Sequence, residues 1–208
     1  MNGAKGAIRD VTLADLPALA GALAERIRQE GFAPDLVVFL EEGARVPAVH
    51  LARATGWPLL PLRIQRPTVR WKRYARPLLS RFPTAVTNWL RRREASRSFH
   101  VRGPRTLAPD TRRVDLAGRR VLIFDDAVDS GSTLLVARDW VLSSGASSAD
   151  VRTATLTVTT PLGREVVDYA LGEGMCRFPW SSDSPEAEEH AALHAGLAVE
   201  LEERSWRA

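Results

Sequence analysis

The chain has 208 residues, is 45% hydrophobic and 26% charged, and carries a formal net charge of +4 with a single cysteine. That is enough apolar material for one α/β core with an embellishment and argues against a second catalytic domain, while Cys176 alone excludes an intrachain disulfide and a thiolate metal cluster. The N-terminus, MNGAKGAIRD, lacks the apolar run of a secretory signal and no stretch approaches membrane-spanning length, so a soluble, cytoplasmic protein with no membrane partner is expected.

In chain order, Thr12 is placed to cap a helix whose apolar residues Leu13, Leu16, Leu19, Ala20, Leu23 and Ile27 form one stripe, ending at Gly31. Asp35 to Leu40 reads as a buried strand, and Leu40-Glu41-Glu42-Gly43-Ala44-Arg45-Val46-Pro47 as a loop. Pro47 to Thr55 reads as a helix closed by Gly56, and Leu59 to Ile64 as the next strand, which completes a βαβ unit.

From Gln65 to about Arg113 the alternation breaks: prolines stand at 67, 77, 83, 104 and 109, and a short helix is expected around Ala85 to Ser96. Between Arg63 and Arg105 there are thirteen Arg or Lys and one acid, Glu94, a segment charge of +12 that leaves −8 for the remainder. Basic surface of that density suits a polyanion, whether pyrophosphate, an acidic partner or a nucleic acid backbone. Trp71, Tyr74, Phe82, Trp89 and Phe99 interleave with those charges, as in single-strand nucleic-acid binders. The preferred reading is a lid that packs its rings inward and turns its arginines to an anionic ligand or a neighbouring subunit.

The most informative stretch is Val121 to Leu134, VLIFDDAVDSGSTL. Val121, Leu122, Ile123 and Phe124 have the length and bulk of a buried parallel strand. Two adjacent carboxylates follow, then Asp129, then a small-residue turn into a helix running to about Ser144 with Gly145 as its stop. Ser130, Gly131, Ser132 and Thr133 can aim backbone N–H groups and three hydroxyls at one phosphate, because the first N–H groups of a helix are unpaired and carry its positive dipole end. Gly131 permits close approach. No lysine follows the glycine, so this is not the Walker arrangement. Three acids beside a phosphate site make sense if they serve another part of the same ligand, and a sugar phosphate, with vicinal hydroxyls for Asp125 and Asp126, fits all of them. Val151 to Val158 then repeats the strand pattern, giving a doubly wound parallel sheet. The tail from Ser184, with Pro185 at its first turn, reads as an amphipathic, exposed helix. His190 and His194 lie four apart on it, beside Glu186 and Glu189, a spacing that can hold a metal; with no third distant ligand they read as surface histidines.

The segment VLIFDDAVDSGST closely resembles the phosphoribosyl pyrophosphate (PRPP) signature of type I phosphoribosyltransferases: four hydrophobics, two acids, a short linker, Asp, then Ser/Thr-Gly-x-Thr. The resemblance implies that Asp125 and Asp126 hold the ribose hydroxyls, directly or through Mg²⁺, and that Asp129 acts near the attacking or leaving base. It implies that Ser130, Gly131, Ser132 and Thr133 bind the 5-phosphate. The implied protein is a single α/β domain spanning 1–208, with a core of about 32–64 and 114–180, a basic lid or hood at about 65–113, where Lys72 and Arg73 are lid candidates, and a C-terminal helix at about 184–204. The implied reaction is Mg²⁺-dependent transfer of the 5-phosphoribosyl group from PRPP to a small acceptor, nucleobase-like or another small aromatic, with release of pyrophosphate. A homodimer is the family's usual assembly.

In this family the first-strand loop cups pyrophosphate, which places Glu41, Glu42, Gly43, Ala44 and Arg45 there. Gly43 and Pro47 fit the pattern. Glu41 and Glu42 do not, since a carboxylate about 5 Å from a phosphate charge costs roughly 3 kcal/mol at an effective dielectric near 20. Either they turn away into surface ion pairs, or they join Mg²⁺, or they contact a cationic acceptor; a fourth account is a degraded pyrophosphate site in a protein that is no enzyme. Downstream, Cys176-Arg177-Phe178-Pro179-Trp180 resembles the aromatic-Pro-Trp ending of 6-oxopurine phosphoribosyltransferases. That resemblance puts Thr160, Met175, Cys176 and Phe178 in an acceptor pocket, with Thr160 where those enzymes carry a lysine and Met175 where they stack the purine. The alternative function is a non-catalytic PRPP-sensing regulator that binds nucleic acid through the arginine-rich insertion.

Overall fold

The computed structural model describes residues 8–65, 105–108, 111 and 113–206. Its centre is a five-stranded parallel sheet in the order β3-β2-β6-β7-β8, formed by β2 (Leu36–Leu40), β3 (Leu59–Leu62), β6 (Val121–Val128), β7 (Val151–Val158) and β8 (Tyr169–Glu173). Two short pairs flank it: β1 (Arg9–Asp10) runs parallel to β9 (Cys176–Arg177), and β4 (Ile64–Gln65) runs antiparallel to β5 (Thr106–Leu107). The helices are α1 (Leu16–Gln29), α2 (Glu41–Thr55), α3 (Ser132–Ser143), α4 (Pro161–Arg164), α5 (Ala187–Gly196) and α6 (Ala198–Glu203). This is the α/β doubly wound architecture expected from the strand and helix pattern.

Strand alternation divides the core in two. Leu122 and Phe124 of β6 join α1 and α2 on one face of the sheet, whereas Val121 and Ile123 join Leu134, Ala137 and Trp140 of α3 on the other. The chain leaves β2 through α2 toward β3, and leaves β6 through α3 toward β7, in opposite directions from two paired strands. At such a switch point the connections diverge and leave a crevice outside the C-terminal ends of the two strands, where open α/β sheets bind ligands.

Two elements depart from expectation. The segment read as a loop is helical from Glu41, six residues before Pro47, which lies inside α2. Proline removes one i→i−4 bond there, and three features offset it. Ala44, Val46, Ala48, Val49, Leu51 and Ala52 are fully buried along the helix, Glu41 and Glu42 lie in the first turn where the dipole favours acids, and Arg45 pairs with Glu41 one turn on. The tail is two helices rather than one, and Pro185 lies before the N-cap of α5, Glu186. Its end covers the β3 edge, with Leu59 N–H donating to the Arg204 carbonyl at 2.9 Å and Trp206 N–H to the Leu59 carbonyl at 2.9 Å; that pairing protects an otherwise open sheet edge.

Glu200 ties the tail to α2. It accepts from Arg53 Nε at 2.8 Å and Arg204 Nε at 2.9 Å, and the Arg53 hydrogen bond, opposed by burial and reinforced by Arg204, holds its carboxyl down to about 2. Because the folded value lies below the unfolded one, this contribution is present above pH 4.5 and is lost as pH falls toward 2. Glu200→Gln is expected to lower stability at pH 7 by about 1–2 kcal/mol, given partial solvent screening. The difference from the parent should vanish in melts at the acid end of that window; an equal penalty at both ends would contradict the assignment.

The strands that open and close the basic insertion, β4 and β5, pair as Ile64 with Leu107 and Gln65 with Thr106. The expected helix at 85–96, the lid candidates Lys72 and Arg73 and the interleaved aromatics lie outside the described residues. Among the described residues no helix is long and apolar enough to cross a membrane.

Candidate active site at the sheet switch point

A cleft lies at the crevice between β2 and β6, lined by Leu40, Glu41, Glu42, Gly43, Leu62, Ile64, Asp125 and Thr133. It brings the N-terminus of α2, the first signature acid, the phosphate-loop threonine and the neck of the insertion to one place, although 92 positions separate Glu41 from Thr133.

The turn after β6 is closely packed. Gly131 adopts φ +73° as the N-cap of α3, and a side chain there would begin 2.2 Å from Val166 Cγ2. The Ser130 and Ser132 hydroxyls lie 3.0 Å apart, and Thr133 is buried at the first turn. The first N–H groups of α3 therefore point out of a closely packed turn, the arrangement that binds phosphate. From below, α4 supports it: Gly163 has no room for a Cβ against the Asp129 carbonyl, at 2.2 Å.

The two adjacent acids point to opposite faces of the strand end, as strand geometry requires. Asp125 is buried on the α3 side, lines the cleft and accepts the Asp126 backbone N–H at 3.0 Å. Asp126 lies on the α2 side, where its carboxylate rests against Gly43 and accepts from Trp180 Nε1 at 2.7 Å. Asp129 is tied to the end of β7, with Thr159 Oγ1 donating to its Oδ1 at 3.3 Å.

Gly43 is required by this packing. An ideal Cβ at residue 43 would lie 2.5 Å from Asp126 Oδ1 and 2.7 Å from its Cγ, so Gly43→Ala must displace the carboxylate or the first turn of α2. We expect it to cost about 1–3 kcal/mol of stability and to weaken binding of a sugar phosphate at the cleft, read by thermal melting and calorimetry. An unchanged melting temperature would contradict the contact.

Glu41 turns into an ion-pair cluster. It accepts from Arg45 and, at 2.9 Å, from Arg63 Nε, with only 16% of its side chain exposed. This is the ion-pair account for Glu41, and it keeps two guanidinium groups at the cleft mouth. Glu42 is exposed on the cleft rim. Ala44 is fully buried in the core, so only its backbone could serve a ligand.

The residues expected at the acceptor pocket have other partners in the fold. Phe178 is 4% exposed and stacks on Trp180 at 4.7 Å and 5° between ring planes; its ring belongs to the core and presents no face to an acceptor. Thr160 caps α4, accepting from Gly163 N–H at 3.1 Å and donating to the Asp129 carbonyl at 2.6 Å. Its hydroxyl therefore braces the signature turn, and a lysine there would remove the brace. Met175 receives the Arg9 N–H on its carbonyl at 3.0 Å, and Cys176 is half-buried, its thiol pushed up by burial. Of the tail histidines, His190 is buried, its ring 5.3 Å from Trp180 and 5.8 Å from that of the partly exposed His194. Burial holds both imidazoles below their usual range, reinforced by each other's proximity at His190 and by Arg45 at His194, so both are mainly neutral at pH 7. Among the described residues no group of three or more His, Cys, Asp or Glu is arranged to hold a metal ion.

The phosphoribosyl transferase domain model matches residues 12–176. The chain belongs to the phosphoribosyl transferase domain family. The match spans the sheet, the cleft and the signature turn, and it places the chain in an enzyme family of the type I phosphoribosyltransferase fold. No curated protein matches the chain by sequence. Among solved structures, a purine phosphoribosyltransferase from Pyrococcus horikoshii Ot3 is similar at 23% identity and a TM-score of 0.57, covering 83% of this chain and 94% of that one. A Helicobacter pylori xanthine-guanine-hypoxanthine phosphoribosyltransferase is similar at 11% identity and 0.57, covering 90% and 98%. A Neisseria gonorrhoeae hypothetical protein with bound ppGpp is similar at 18% identity and 0.55, covering 91% and 98%. At identities this low, the likeness to these structures shows the shared fold alone.

Proposed function

We propose that this phosphoribosyltransferase binds PRPP with Mg²⁺ in the cleft between α2 and α3, transfers its 5-phosphoribosyl group to a small acceptor and releases pyrophosphate. The observation that carries the reading is the convergence of a packed phosphate turn at Gly131, a buried carboxylate at Asp125 and the N-terminus of α2 on one crevice. The 5-phosphate would take the first N–H groups of α3 and the hydroxyls of Ser130, Ser132 and Thr133. The ribose would then lie over the end of β6, met by Asp125 from one face and Asp126 from the other.

The donor set fits Mg²⁺ brought by the substrate: Mg²⁺ is commonly held by one or two carboxylates plus substrate phosphates, not by a protein cage, and Asp125 and Asp126 are the carboxylates in place. When bound, the ion would neutralise charge on the leaving pyrophosphate. Arg45 and Arg63, gathered by Glu41 at the cleft mouth, would do the same from the protein, and the basic insertion rising from the adjacent β4–β5 neck would close over the site and exclude water, since hydrolysis is the competing reaction. Asp129 would orient or deprotonate the acceptor. A homodimer is part of this proposal.

With Thr160 committed to its cap and Phe178 to the core, position 160 supplies no cation and that ring is not free for a 6-oxopurine. Hypoxanthine and guanine are therefore expected to be poor acceptors. A panel of nucleobases and small aromatic acids, assayed for PRPP-dependent pyrophosphate release, tests the function. Efficient turnover of either purine would overturn the acceptor reading alone; release with no acceptor in a broad panel would remove support for transfer.

The +12 charge between Arg63 and Arg105 favours a second reading, a PRPP-sensing regulator that binds a nucleic acid backbone. Steeply salt-dependent retention of nucleic acid, altered by PRPP, would favour it.

A further inference from the structure

We propose that Trp180 is a positioning residue that holds the Asp126 carboxylate, through its indole N–H, in the orientation a sugar phosphate meets at the end of β6. The inference rests on the reading of the cleft as a PRPP site. Four observations meet at this residue.

Trp180 Nε1 donates to Asp126 Oδ2 at 2.7 Å, and among the described residues it is the one side-chain donor to that carboxylate. The opposite side of Asp126 is closed by the first turn of α2, where Gly43 leaves room only because it has no side chain. The indole cannot swing freely, because one face stacks on Phe178 at 4.7 Å and His190 approaches it at 5.3 Å with a 48° tilt. Finally, Phe178 and His190 are themselves buried, so the donor direction is set by the core and by α5, not by solvent.

A carboxylate at a strand end otherwise chooses among several rotamers, and ordering it on ligand binding would cost side-chain entropy. Here one oxygen is committed to the indole, which leaves Oδ1 as the acceptor in a fixed place. A hydrogen bond to an ionised acceptor is stronger than a neutral one, so the indole N–H is well suited to the task. The aromatic pair thus acts on the donor substrate's ribose through Asp126, and α5 reaches the site through His190.

The test is a double-mutant cycle on PRPP–Mg²⁺ binding by calorimetry, with thermal melts of every variant. Trp180→Phe keeps the ring stack and deletes the donor; it should weaken binding about tenfold. Asp126→Ala removes the acceptor. In that background Trp180→Phe should change affinity less than about twofold, because there is no carboxylate left to position. Equal penalties in both backgrounds would mean that Trp180 acts only through packing, and would overturn the proposal while leaving the PRPP site intact. Absence of PRPP–Mg²⁺ binding by the parent protein would overturn the functional reading, and this proposal with it. Should Asp126→Ala fail to fold, the indole N–H resonance lost in Trp180→Phe decides: it should shift in the parent protein when PRPP–Mg²⁺ saturates the site. An unmoved resonance overturns the positioning role.

Discussion

Asp125→Asn is expected to abolish most PRPP–Mg²⁺ binding while leaving the fold in place. The amide keeps the Oδ1 acceptor that receives the Asp126 backbone N–H at 3.0 Å, and Asp125 is buried at 7% exposure, so the side chain has the same shape and the same local bond. What it loses is the charge that a ribose hydroxyl or a substrate-borne Mg²⁺ would meet. A loss of about a hundredfold, or about 2.7 kcal/mol, follows if the carboxylate is a direct contact. Asp126→Asn, on the α2 side of the strand end, should weaken binding by a smaller factor, about tenfold. Ligand-induced thermal stabilisation reads both variants, since a ligand that binds only the folded state stabilises it by an amount that grows with the logarithm of its affinity. Unchanged stabilisation in both would rule out the ribose assignment.

Gly131→Ala carries the second large effect, and it acts on the fold as well as the site. The residue has φ +73°, and an added Cβ would begin 2.2 Å from Val166 Cγ2. Left-handed backbone costs a non-glycine residue about 1–2 kcal/mol, and overpacking adds about 1–3 kcal/mol. The turn can escape both costs only by moving, which would carry the Ser132 and Thr133 N–H groups away from a bound phosphate. We expect a melting temperature lowered by several degrees and no measurable PRPP binding. A variant that binds PRPP as the parent does would show that this turn is not the phosphate site.

The parts of the fold legible in the sequence are those that local rules determine. Val121 to Phe124 and Val151 to Val158 could be read as buried strands from apolar runs of the right length, and Gly31, Gly56 and Gly145 as helix ends, because each needs no partner distant in the chain. Pro47, a strong local signal for a first turn, hides the start of α2. The helical signal is nonetheless there: Ala44, Ala48, Leu51 and Ala52 keep helical spacing from before the proline, and Glu41 stands four residues ahead of Arg45. Tertiary burial of that face outweighs one missing hydrogen bond.

The glycine turn that opens α3 and the place of Asp125 at the end of β6 are legible for a different reason, since consecutive residues encode both. The relation of Asp126 to Gly43 and Trp180 is not, because the three come from separate elements and meet only when the sheet is assembled. By position Gly43 reads as a loop glycine, whereas its structural need is the approach of Asp126. Phe178 and Thr160 read as pocket residues from position in a motif; their burial and capping depend on α4, α5 and Trp180, which no spacing within the motif discloses.

Direct titration of the parent protein with PRPP in the presence of Mg²⁺ shows whether the cleft between α2 and α3 is a PRPP site. Saturable binding is expected, one PRPP per chain, with a dissociation constant in the roughly 1 μM–1 mM span usual for enzyme substrates, lost in Asp125→Asn. No heat of binding up to millimolar PRPP, or binding that survives that substitution unchanged, would contradict it.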